Sequence, residues 1–279
     1  MKRTGHGGDA LAKDLQRTVL ITGASSGIGA ALAREFAARG NHLVLVARRR
    51  DRLQTIADEL KDYYGCRCIV APADLSVPET PAAISDALTA SGVEIDVLVN
   101  NAGYGIPGAF LSVDWERQAA MLQVMITAVA ELTHRFLPAM VARGSGQILN
   151  VASVAGFMPG TAGHTLYGPI KAWMIPFTQA IAAEYGDQGI RATAVCPGFT
   201  RSEFHDVSGT RGLVADMPGY MWMNADQVAE TAVDALERGD TVYVPGRFNR
   251  LLSWCARHAP RRILDRVADR QARRIQNAD

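Results

Sequence analysis

Tyr167 and Lys171 are the two residues whose types and spacing point most directly to proton chemistry. Four residues apart on a helix, they share one face, so the lysine ammonium can sit near the phenol. A nearby positive charge favours phenolate and brings a tyrosine towards the working range of a general acid or base. A surface tyrosine and lysine at helical spacing would look the same in isolation, but here a fifth strand, read from Gly146, ends in the hydroxyl of Ser153 shortly before the pair. Pro169 lies between Tyr167 and Lys171, which a helix tolerates only where it has just begun and needs no backbone donor.

A second group of residues could hold an anion. Thr22-Gly23-Ala24-Ser25-Ser26-Gly27-Ile28-Gly29 follows the apolar run Val19-Leu20-Ile21 and precedes residues 30–36, which have helical spacing. This reads as a strand turning through glycines into a helix. Glycines let backbone approach a phosphate closely, and the first free N–H groups of the helix carry the positive end of its dipole. The spacing Gly-x3-Gly-x-Gly differs from GxGxxG and lacks the Gly-Lys-Ser/Thr of a P-loop; taken alone it is also compatible with an ordinary tight loop.

The strands that position these groups carry further candidates. His42 to Ala47 reads as a second buried strand ending at Arg48-Arg49-Arg50. The end of that strand in a dinucleotide fold lies beside the adenosine ribose, where an acidic residue would favour a free 2′-hydroxyl. Ala47 and Arg48 stand there instead, so NADP(H) is expected over NAD(H), with Arg48 on the 2′-phosphate through paired, charge-assisted bonds. Arg49, Arg50 and Arg52 read as the solvated basic start of a helix over Asp51 to Lys61, and Arg48 could be the same. A third strand, Arg67 to Ala73, is closed by Asp74-Leu75-Ser76. Asp74 could accept from an adenine amino group, cap the helix around Glu79 to Ser91, or do both. A fourth strand, Ile95 to Val99, runs into Asn100-Asn101-Ala102-Gly103, small and amide residues suited to lie against a cofactor. A sixth, Arg191 to Cys196, breaks at Pro197-Gly198-Phe199-Thr200.

Between these lie a long helix, Trp115 to Met140, and a second from Tyr167 to Tyr185 with a kink expected at Pro176. An aperiodic stretch from Ser202 to about Asn224 reads as a loop over a pocket; a helix from Asp226 to Arg238 and a seventh strand, Thr241 to Pro245, follow. Strands alternating with helices argue for a single α/β domain with one doubly wound parallel sheet, a Rossmann-type arrangement of about seven strands. The 279 residues suffice for its core, and the net charge of +1 argues against nucleic acid as a partner. Residues 1–16 read as a flexible leader, 17–248 as the domain and 249–279 as a basic helical extension. Cys66, Cys68, Cys196 and Cys255 lack zinc-ligand spacing, and no metal is expected. No run approaches the apolar length needed to span a bilayer, and a cytoplasmic protein is expected. In the extension, Ile263, Leu264, Val267 and Ile275 trace an apolar stripe, with Arg262, Arg266, Arg270 and Arg273 largely on another face. A helix folded back on the domain or across an oligomer interface is favoured over a membrane-surface helix.

From Arg17 to Pro245 the chain resembles the short-chain dehydrogenase/reductase family. The matching motifs are Thr22 to Gly29, Asp74, Asn100 to Gly103, Ser153, the Tyr167/Lys171 pair and Pro197-Gly198. The resemblance implies hydride transfer between a nicotinamide and the carbon of a small-molecule ketone, aldehyde or secondary alcohol. Tyr167 would move the substrate proton, Lys171 would lower its pKa and bind the nicotinamide ribose, and Ser153 would hold the substrate oxygen. Gly23, Ser25, Ser26, Gly27, Ile28, Gly29, Arg48, Asp74, Leu75, Asn101, Ala102, Gly103, Pro197, Gly198 and Thr200 would join Tyr167 and Lys171 around NADP(H). The family also implies a homodimer or homotetramer. Four positions depart from the pattern. Met125 stands where many members place an asparagine that holds a relay water, and restoring it should raise turnover if that relay is limiting. Ser153 lies fourteen residues before Tyr167, one more than usual; Ile170 replaces a small hydroxyl, and Pro176 falls inside the helix. Met125 and the shifted Ser153 motivate an alternative, an NADP(H)-binding regulator with little turnover.

Overall fold

The computed structural model describes residues 16–160, 162–203 and 218–259. Seven strands form one parallel sheet: β1 (Thr18–Thr22), β2 (His42–Ala47), β3 (Cys68–Pro72), β4 (Val97–Asn100), β5 (Gly146–Val151), β6 (Ile190–Val195) and β9 (Val242–Tyr243). Their order is β3-β2-β1-β4-β5-β6-β9. The order reverses between β1 and β4, which opens a crevice at the carboxyl ends of the strands. A separate parallel pair, β7 (Thr200–Arg201) and β8 (Met223–Asn224), brings the two ends of the segment between them side by side.

Central strands are apolar on both faces because each face is covered by helices. Val19 and Ile21 pack into one core with Leu32 and Phe36 of α1 (Gly27–Ala38), Leu53 and Leu60 of α2 (Arg50–Tyr64), and Val233 and Leu236 of α7 (Ala225–Arg238). Leu20, between them, turns to the other face. There it meets a second core containing Leu88 of α3 (Thr80–Ala90), Met121 of α4 (Trp115–Leu122), Leu132 and Phe136 of α5 (Ala128–Arg143), and Ile170 of α6 (Tyr167–Tyr185). One π-helical segment, Gln123–Thr127, joins α4 to α5.

The continuous helix Trp115–Arg143 spans 29 residues, and an 18-residue window within it has a mean hydropathy of 1.2. This corrects the expectation that no run reaches spanning length. Half of its apolar window is buried inside the fold, with α5 packed on α3, β4 and β5, as in a core helix. The helix expected from Tyr167 to Tyr185 has those bounds, places Pro169 in its first turn, and continues through Pro176. The last strand of the sheet is shorter than the expected Thr241 to Pro245.

α8 (Arg247–His258) starts before the expected domain boundary and buries Asn249, Ser253 and Ala256 against the domain. The arginine stripe beyond Pro260, residues 1–15 of the leader, and 204–217 of the expected loop lie outside the described residues.

Candidate active site

The glycine turn leaves β1 and is held from two sides. Ala24 N–H donates to the Val46 carbonyl at 3.2 Å, which ties the turn to the end of β2. Asn101, just past β4, donates through Nδ2 to the carbonyls of Thr22 at 2.8 Å and Gly23 at 3.2 Å. The Thr22 hydroxyl accepts from the backbone N–H of Asn101 and Ala102 at 3.0 and 3.1 Å. Gly23 has φ of +67°, and a Cβ on Gly29 would overlap the Gly23 carbonyl and Asn101 Nδ2, so this turn requires glycine at both positions. Ser26 precedes α1 in extended conformation, and its side chain makes no cap hydrogen bond. The N-terminus of α1 thus offers backbone donors and dipole to an anion, with Gly27 and Ile28 in its first turn.

The arginines at the end of β2 diverge. Arg48 is exposed, and its charge reaches Asp74 and Tyr104. Arg49 is half-buried and points to the glycine turn, donating to Ser25 Oγ at 3.2 Å. The reading of Arg49 as merely solvated is corrected by that contact. Asp74 Oδ1 accepts from the backbone N–H and hydroxyl of Ser76 at 2.9 and 2.8 Å. Those bonds and the Arg48 charge hold its carboxyl below the usual range against the opposing effect of burial. Asp74 does not cap α3, whose N-cap is Glu79. Leu75 is core.

The candidate proton-transfer residues converge at the ends of β5 and β6. Ser153 Oγ accepts from Ala155 N–H at 3.1 Å, lies 3.4 Å from the Pro197 carbonyl, and is hydrogen-bonded to Tyr167. The extra residue before Tyr167 is thus absorbed without separating the two hydroxyls. Gly156 makes this possible: a Cβ there would press on the Lys171 backbone, so the 3-10 turn Val154–Phe157 rests directly on α6. Lys171 Nζ donates to the Val151 carbonyl at 2.6 Å and lies 5.9 Å from the Tyr167 ring centroid.

The expectation that the ammonium depresses the phenol pKa is corrected. Burial pushes Tyr167 up to about 12, opposed by its Ser153 hydrogen bond, and pushes Lys171 down to about 8. Desolvation dominates both groups because the lysine is turned to a carbonyl rather than to the phenol oxygen.

The remaining walls come from short segments. Thr200 is buried, with Oγ1 donating to the Gly198 carbonyl at 3.1 Å. Asn249 of α8 packs under Gly198 and donates to the Pro245 carbonyl at 2.9 Å, while Arg257 stacks 4.0 Å from the Phe157 ring centroid. Sequence reasoning missed this bracing by α8, since nothing local marks Asn249 as a partner of Gly198. Met125 is fully buried beneath Gly103, and a Cβ there would lie 3.2 Å from its methyl group. A shallow concavity is lined by Ile106, Phe110, Val113, Met121 and Leu166, the residue before Tyr167.

A parallel sheet reversing at β1/β4, a glycine turn feeding a helix N-terminus, and a serine–tyrosine–lysine group at the strand ends together define a dinucleotide-dependent enzyme architecture. The chain belongs to the short-chain dehydrogenase/reductase family, matching the short chain dehydrogenase profile over residues 17–211. It is an oxidoreductase of that family. It is 39% identical over 187 residues to oxidoreductase UcpA of Salmonella typhimurium, covering 67% of this chain and 70% of that one. A short-chain dehydrogenase from Sphingobium yanoikuyae, solved in complex with NADPH, is 36% identical with a TM-score of 0.76, covering 82% of this chain and 87% of that one. The bulky-bulky ketone specific alcohol dehydrogenase from Comamonas testosteroni is 32% identical with a TM-score of 0.73, covering 85% and 91%.

Proposed function

We propose that the chain is an NADP(H)-dependent reductase of ketones or aldehydes, with Tyr167 as the acid. The observation that carries this reading is the hydrogen bond between Ser153 and Tyr167 at the carboxyl edge of the sheet. A phenol holds its proton at neutral pH, and the alkoxide that forms as a carbonyl is reduced is a stronger base than phenolate, so the transfer from Tyr167 runs downhill even with its pKa raised.

When bound, the dihydronicotinamide supplies the hydride. The chain's residues do the rest. The α1 N-terminus with Gly27 and Ile28 would hold the pyrophosphate, and the uncapped start of the helix fits that anion. Basic residues after β2 would receive the 2′-phosphate, Asp74 would serve the adenine, and Gly103, Pro197, Gly198 and Thr200 would line the nicotinamide end. Ser153 orients the substrate oxygen, and Tyr167 gives it a proton. The NADPH complex of the Sphingobium relative supports the cofactor, and the ketone specificity of the Comamonas relative supports a bulky ketone. Four cysteines without a disulfide fit a reducing cytoplasm, and a homodimer or homotetramer fits the family.

A second reading, a cofactor-binding regulator, is favoured by Lys171: its Nζ is engaged by the Val151 carbonyl, and burial biases it towards its neutral form. One titration separates the two. NADPH and NADH are added to purified protein, and nicotinamide absorbance is followed with a panel of bulky ketones and aldehydes. Carbonyl-dependent NADPH oxidation is the expected result; tight NADPH binding without oxidation of any panel member favours the regulator.

A further inference from the structure

Glu203, two residues beyond β7, returns to the glycine turn. Its Oε2 accepts from Arg49 Nη2 at 3.0 Å, and its Oε1 lies 3.6 Å from Arg52 Nη1 on the first turn of α2. The same Arg49 nitrogen donates to Ser25 Oγ. Ser202 is equally close: its Cβ would be 3.0 Å from a Cβ placed on Gly27. A carboxylate from the far side of the sheet order is therefore seated on two guanidiniums, at the junction of the turn and the end of β2.

We propose that Glu203 is a specificity-determining residue that competes with the cofactor's 2′-phosphate for Arg49 and Arg52. This rests on the NADP(H) reading above. The junction lies where a dinucleotide fold places the adenosine ribose, so a 2′-phosphate arriving there meets guanidiniums already paired to an internal anion. A cofactor with a free 2′-hydroxyl leaves those pairs intact. The side chains of Arg49 and Glu203 are 42% and 38% exposed, so water and salt screen the pair and its strength is modest. A phosphate dianion making paired, charge-assisted bonds to the same guanidiniums displaces it. Glu203 thus lowers NADP(H) affinity while leaving NAD(H) untouched, and it keeps the ratio of the two smaller than the arginines alone would set.

The test is isothermal calorimetry of the full chain with NADP+ and NAD+, for the natural protein, Glu203→Gln, Arg49→Ala/Arg52→Ala and the triple variant. Glu203→Gln should tighten NADP+ by about two- to fivefold at low salt, the range of an exposed ion pair, and leave NAD+ within error. The gain should vanish in the variant lacking both arginines. Unchanged or weaker NADP+ binding by Glu203→Gln would overturn the proposal, as would a gain that persists without the arginines. The outcome for the cofactor reading is separate: a natural chain that prefers NAD+ refutes that reading, yet Glu203→Gln must still shift the ratio towards NADP+. Binding of neither dinucleotide by any variant overturns both.

Discussion

Tyr167 is half-buried and holds its proton at neutral pH, and the variant Tyr167→Phe removes that proton while preserving the ring packed against the second core. Turnover should fall by about 10²–10⁴-fold, the usual worth of a positioned acid, while the NADPH dissociation constant stays within a few-fold. Lys171 gives a second prediction, through pH. Its folded pKa of about 8 lies below the ordinary lysine value, so between them the unfolded chain binds more protons than the folded one. Stability contributed by this group therefore rises with pH across that window. The stability advantage of Lys171→Met over the natural chain should shrink by about 2 kcal/mol between pH 7 and 9.5, read from paired urea melts. Met125 yields a third. In its buried seat beneath Gly103 an asparagine would lose apolar packing and bury an amide, so Met125→Asn should cost about 2–4 kcal/mol in a urea melt. That cost works against the gain in turnover expected from the sequence. The glycine turn and the serine–tyrosine–lysine group were legible because residue type and spacing define them. Arg48 and Arg49 were not distinguishable, because side chains alternate along a strand and the direction of each depends on where β2 ends.

At the scale of elements, helix α6 was legible to the residue, since Pro169 costs no hydrogen bond in a first turn and Tyr185 precedes a glycine. The π segment Gln123–Thr127 left no mark, because one extra residue in a turn does not change an apolar pattern. The β7/β8 pair was missed for its length: two residues carry no period. The contact between α1 and α7 is equally hidden and depends on one side chain. Arg39, at the end of α1, binds Glu35 at 2.7 Å and reaches Asp234 and Glu237 of α7 at 2.6 and 2.7 Å. Removing it leaves three carboxylates facing one another, so Arg39→Ala should destabilise by about 1–2 kcal/mol at low ionic strength. Most of that loss should disappear in about 1 M salt, where such charges are screened; equal losses at both salts would assign the effect to packing.

For the whole molecule, the doubly wound parallel sheet of seven strands followed from the alternation of elements, whereas its strand order did not. Asn249 was read as the start of a tail, yet it is buried under Gly198, so α8 belongs to the site's walls. Because β1, β2, β4, β5 and β6 all contribute groups to one crevice, a bound dinucleotide ties the two halves of the sheet together. NADPH at a hundred times its dissociation constant should stabilise by about 2.7 kcal/mol and raise Tm by about 5–10 °C. NADH at the same concentration should raise it less, which differential scanning fluorimetry can read. Beneath that crevice, Asn100 and Asn150 are register partners on β4 and β5, and Asn100 Nδ2 donates to Asn150 Oδ1 at 2.9 Å. Asn100 Nδ2 also lies 3.3 Å from Thr133 Oγ1, and Asn150 donates to Thr178 at 2.8 Å, joining α5 to α6 through the sheet. Strands apolar on both faces could slide past one another without exposing anything to water. A slip of β4 against β5 would instead strand these amides in the core, each at a cost of about 1–3 kcal/mol. The amide pair acts as an alignment pin, and the parts it keeps in step are the next residues along each strand: Asn101 at the glycine turn and, past Val151, Ser153 beside Tyr167.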